Sequence, residues 1–144
     1  MAAKTVPATQ YAKRADELCR QELVKLDDLR VQQRLRQADA SPGTNKEKYA
    51  RAAPILVDQL RVISEFRQQV ELLGWPSEHR EDAEGLITKT RSAENELQRV
   101  IDAARAGDVK KTEESLQRYF GFASQSASIA RDSKLNFAIC GSGA

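Results

Sequence analysis

The chain has 144 residues, 31% of them charged and 6% aromatic, with 23 Lys and Arg against 21 Asp and Glu. A net charge of +2 is too small to gather nucleic acid or an anionic membrane surface. No apolar run approaches the roughly 20 residues that span a bilayer. The length fits one domain, 1–144, with a core of its own. "MAAKTVPATQ" at the start has no apolar signal core. Either the protein is cytosolic, or a signal or anchor preceding residue 1 has been removed.

The first predicted helix covers about 9–40, with Tyr11, Ala15, Leu18, Cys19, Leu23, Leu26 and Leu29 at spacings of three and four. Its second half, "VQQRLRQADA", is more polar. Arg30, Arg34 and Arg36 make that end mildly basic, with Lys46 and Lys48 across the next loop. A solvated face is the plain account of these cations, and an anionic headgroup or wall polymer is the functional one. "SPGTN" breaks the chain, and Thr44 followed by Glu47 forms a capping box.

A second helix over about 45–73 carries the clearest seam: Tyr49, Ala53, Leu56, Leu60, Ile63, Val70 and Leu73, interrupted at Arg67 beside Phe66. Pro54 within it predicts a kink or a later start. "GWPSE" then ends the helix at Gly74. Trp75 in that turn is read as capping the core, the alternative being an exposed interaction anchor.

The third helix, about 77–106, follows Ala83, Ile87, Thr90, Leu97, Ile101 and Ala104, and the fourth, about 108–134, follows Val109, Leu116, Phe120, Ala123, Ala127 and Ala130, with Phe137 continuing the same face. Gly107 and Asp108 fit a left-handed helix end and the N-cap of its successor. The small residues of "GFASQSASIA" predict close packing against a neighbour. No strand-like alternation or repeat is present. Short connections favour an all-α, antiparallel up-down-up-down four-helix bundle.

Such a bundle brings Cys19 and Cys140 to the same end. A bridge between them closes a long loop and ties down the tail. The alternative is two buried thiols, since cysteine also behaves as a small hydrophobe. The position of Cys140 in the tail "AICGSG" argues for the bridge, and a stable bridge argues for an oxidising compartment.

The opening "YAKRADELCR" resembles that of small secreted or membrane-anchored helical proteins of actinobacteria. Ala15, Asp16 and Cys19 carry the likeness there, and Phe137, Ile139, Cys140 and Gly141 carry it at the close. Asn136 stands where those proteins usually have glycine. "GWPSE" and "AARAGDVKK" resemble their interhelix turns. The resemblance implies an extracytoplasmic, disulfide-closed bundle following a signal peptide, lipoprotein signal or membrane helix. It carries no activity, cofactor or partner.

Catalytic signatures are sparse. His79, the single histidine, lies in the acidic helix start "SEHRED", where carboxylates favour the helix dipole. Two cysteines and one histidine supply too few zinc ligands at the usual spacing, and no Glu-x-x-His pair supports a di-iron bundle. No catalytic residue, cofactor or metal is therefore assigned. The expected function is a non-enzymatic binding or interaction module of the cell envelope, its partner an envelope protein, lipid or small ligand. The alternative is a structural, self-associating bundle sharing the seam of the second helix.

Overall fold

The computed structural model describes residues 4–141; the expectation of a removed leader or anchor concerns chain outside them. Five helices carry the fold: α1 (Ala8–Asp28), α2 (Val31–Ala40), α3 (Asn45–Leu72), α4 (Arg80–Ala106) and α5 (Val109–Asp132). Two short strands, β1 (Thr5–Val6) and β2 (Trp75–Pro76), pair in parallel. The chain is all-helical apart from that pair and is closed by a disulfide between Cys19 and Cys140.

The single first helix expected over 9–40 is two helices. Arg30 adopts φ 53, a left-handed conformation costly for a residue with a Cβ. The cause lies in the apolar period, which fails after Leu29: its continuation would fall on Gln33 and Gln37. The break shifts the phase, so that Val31 and Ala38 bury with Ile55 of α3. Arg34 steadies the joint by donating to the Leu29 carbonyl at 3.2 Å and to Asp58 Oδ2 at 2.9 Å. These bonds satisfy a carbonyl that the end of α1 leaves free.

Entry to α3 follows the capping box. Thr44 Oγ1 accepts from the Glu47 N–H at 3.2 Å, and Glu47 Oε1 accepts from the Thr44 N–H at 3.4 Å. The helix continues through Pro54 to Leu72. Its seam is used within the chain: Leu56 buries with Leu97, Val100, Ile101 and Tyr119, while Leu60 and Ile63 pack against that cluster. Arg51 closes the far end of α2, donating to the carbonyls of Ala38 and Ser41 at 3.0 and 2.8 Å.

Two-residue strands leave no alternation to read, which is why the sequence offered none. The Trp75 N–H donates to the Lys4 carbonyl and the Ser77 N–H to that of Val6, both at 2.7 Å. Gly74 makes this approach possible: it has φ +85, and a Cβ there would lie 2.2 Å from the Lys4 oxygen.

Gly107, at φ 73, ends α4, and Asp108 caps α5 by accepting from the Lys111 N–H at 3.0 Å. The buried face of α5 matches the expected one at Ala130, with Leu116 packed against the core, and departs from it at Phe120. Phe120 is 62% exposed, whereas Thr112, Ser115 and Tyr119 are buried. Polar partners make that burial tolerable: Thr112 Oγ1 donates to the Asp108 carbonyl at 2.7 Å, and Arg118 donates to Ser115 Oγ at 3.2 Å.

After α5 the tail turns back. Ser133 Oγ and the Lys134 N–H donate to Asp82 Oδ2 at 3.1 and 3.2 Å. Asn136 takes φ 60, a conformation asparagine enters more readily than most residues with a side chain. Asp16 then accepts from three consecutive N–H groups: Ala138 at 2.7 Å, Ile139 at 2.9 Å and Cys140 at 2.9 Å. The bridge follows, with a Cα–Cα separation of 5.4 Å.

Candidate binding cleft

Residues Tyr11, Ala15, Cys19, Glu22 and Leu26 are spaced four, four, three and four apart, so they form one stripe along α1. This stripe faces a cleft of about 310 Å³. Ala123, Ser126, Ala127 and Ala130 of α5 line it, as do Ile63 and Phe66 of α3 and Ile87 and Thr90 of α4. The small residues of α5 therefore have two roles. Toward α4 they allow close approach, with Ser126 Oγ 3.3 Å from Thr90 Oγ1 and Gly85 facing Ile129. Toward α1 they leave space. Cys19 and Cys140 also line the cleft, so the bridge forms part of its wall.

Three helices interrupt their apolar stripes with one ionisable residue each: Glu22 on α1, Arg67 on α3 and Glu94 on α4. Arg67 and Glu94 pair. The Arg67 guanidinium donates to both Glu94 oxygens and, at 3.1 Å, to Glu71 Oε2, while Ser64 Oγ donates to Glu94 Oε1 at 2.7 Å. The Glu94 hydrogen bond leads the causes that hold the Arg67 pKa above its usual value. The pair is bidentate, the arrangement that best offsets the desolvation of two charges.

Glu22 has no such counterpart. Among the described residues neither an ion pair nor a hydrogen bond reaches its carboxyl, and burial pushes its pKa from the ordinary 4.5 up to about 7. Opposite, the Tyr119 hydroxyl accepts from Gln59 Nε2 at 3.0 Å. Its pKa is pushed up to about 12 by burial first and the Glu22 charge second. Tyr11 is fully buried, its hydroxyl has no hydrogen-bond partner among the described residues, and burial raises its pKa to about 12. A buried hydroxyl without a partner carries a desolvation cost of about 1–3 kcal/mol.

The residues singled out from sequence do not converge. Arg30 and Arg36 are exposed, and Arg36 donates to Gln32, whereas Arg34 is engaged with Leu29 and Asp58. Trp75 is half-buried against the core, with the Arg80 guanidinium 4.8 Å from its ring centroid. His79 lies just before α4 at φ 59, bordering a separate polar depression with Asp82, Asp132 and Lys134. No cluster of three or more metal-ligating side chains occurs among the described residues.

Glu22 and Tyr11 escaped sequence reading as functional residues. The available signal was Glu22 itself, three residues after Cys19 and four before Leu26, a carboxylate in register with an apolar stripe. Comparison with protein-family models, curated proteins and solved structures gives no match.

Proposed function

We propose that the chain is a non-enzymatic binding module of the cell envelope, working outside the cytoplasm, that holds a small and largely apolar ligand in the cleft between α1 and α5. The observation that carries this reading is the cleft itself. Its volume lies at the small end of the roughly 300–1,000 Å³ usual for ligand sites, and apolar walls with a few polar groups are their usual make-up.

The Cys19–Cys140 bridge supports an oxidising compartment, and no described helix is long and apolar enough to cross a membrane. The likeness of both chain ends to secreted actinobacterial helical proteins points the same way. If α1 and α2 are counted as one broken helix, the cross-contacts Lys25–Glu65, Arg91–Glu71 and Arg118–Glu96 support an up-down-up-down order.

The test is titration of the oxidised protein with the neutral apolar dye Nile red. Saturable one-to-one binding is expected, and Ala123→Trp should abolish it while leaving the helical circular dichroism intact. Absence of saturable binding, or an Ala123→Trp variant that binds unchanged, overturns the reading. Self-association comes second: exposed Phe120 and Leu72 favour it, but the α3 seam on which it rested is occupied within the chain.

A further inference from the structure

We propose that the ligand is an amphiphilic amine, an apolar body bearing one ammonium group that pairs with the Glu22 carboxylate. The inference rests on the cleft being a ligand site and adds the chemistry of its occupant. Of the residues lining the cleft, only Glu22 and Arg67 are charged. Arg67 is committed to Glu94 and Glu71, leaving it no unmatched positive charge to offer. A fatty carboxylate entering the cleft would meet Glu22 with no free cation, an uncompensated like-charge contact in a poorly hydrated space. An ammonium would meet a carboxylate that lacks an internal partner, making a charge-assisted bond stronger than one between neutral groups.

The remaining groups around Glu22 fit this assignment. On α1, Tyr11 stands three helical turns away on the same stripe, about 16 Å at 1.5 Å per residue. On α3 and α4, Arg67 and Arg91 match Glu71 and Glu94 charge for charge. On α5, the Tyr119 hydroxyl accepts from Gln59 and brings no charge to the site. Both tyrosines are held neutral well past the physiological range, and Arg67 stays charged throughout. Glu22 is thus the group whose ionisation sets the preference, which should weaken as the pH falls below about 7.

The experiment is calorimetric titration of the full, oxidised chain with decylamine, decanol and decanoate near pH 8 and near pH 5. At the higher pH decylamine should bind about tenfold or more tightly than decanoate, the scale of one charge-assisted hydrogen bond. The margin should shrink near pH 5 and vanish in Glu22→Gln. Equal binding of all three by the native chain overturns the amine assignment and leaves the apolar cleft standing. Tighter binding of decanoate overturns it too, as does a preference that survives Glu22→Gln. If none of the three binds and Nile red also fails, the cleft is not a ligand site and both proposals fall. The headgroup comparison on the native chain is decisive even if the variant folds poorly.

Discussion

Asp16 Oδ1 and the backbone N–H of Cys140 lie 2.9 Å apart, one helical turn before the cysteine to which Cys140 is bonded. A single carboxylate thus gathers three successive N–H groups of the tail and delivers the second thiol to the first. The Ala-Asp-x-x-Cys spacing has a mechanical meaning here, since the aspartate and cysteine project from the same side of α1.

Removing that carboxylate should loosen the tail even with the bridge intact. Asp16→Ala is expected to cost about 1.5–3 kcal/mol, as for hydrogen bonds to a charged group, and Asp16→Asn less, since one acceptor oxygen survives. Thermal denaturation of the oxidised variants checks this. An unchanged midpoint in Asp16→Ala would mean that the disulfide alone holds the tail.

The disulfide joins residues 121 apart. Chain-entropy arguments assign such a loop about 4–5 kcal/mol, with denatured-state structure lowering it. The double variant Cys19→Ser and Cys140→Ser should therefore unfold at a markedly lower urea concentration. A loss below about 1 kcal/mol would place the stability of the fold in its helical core alone.

Arg67 and Glu94 give a test in which one substitution is worse than two. Arg67→Met leaves Glu94 buried beside Ser64 without its cation, and breaking a buried pair from one side costs about 3–5 kcal/mol. Adding Glu94→Gln removes the stranded charge and should recover part of that loss. Urea denaturation of the native chain, both single variants and the double variant measures the coupling. Simple additivity would sink the idea that the two act as a unit.

Glu22 makes stability fall as pH rises. Its pKa is near 4.5 when unfolded and about 7 in the fold, so between those values the folded state binds the extra proton. The destabilisation is absent below about 4.5 and complete above about 7. Its size should be about 1–3 kcal/mol after allowance for partial exposure. Glu22→Gln should abolish this component, read as the difference between variant and native unfolding energies at pH 5 and pH 8. A constant difference across that range would show that Glu22 does not titrate in the fold differently from the unfolded chain.

Much of the architecture was legible because it rests on local rules. Thr44 and Glu47, Gly107 and Asp108, and the 4-3 seam of α3 announce themselves within a few residues, and the cysteines signal their pairing by position. The break at Arg30 was masked by continuous helix-forming composition, although Gln33 and Gln37 already spoiled the apolar phase. Tyr119 and Phe120 are adjacent, and hydrophobicity alone ranks phenylalanine as the buried one. The Gln59 amide, 60 residues away, favours tyrosine, and a partner so distant leaves no local trace. The cleft was illegible for a related reason. It is a volume left over between α1 and α5, and a row of alanines reads the same whether it touches a neighbour or faces a gap.

Because Cys19 and Cys140 belong to the lining of the cleft as well as to the core, the bridge also works as a stop. α1 is gripped near its middle by this bond, is tied at its start through β1 to β2, and runs at its other end into α2, which is seated on α3 through Val31, Ala38 and Ile55. Pinned at three places, α1 has little freedom to swing away from α5. Cutting the bond would free one support, so thiol chemistry in the surroundings would govern how wide the mouth opens before it governs whether the protein unfolds.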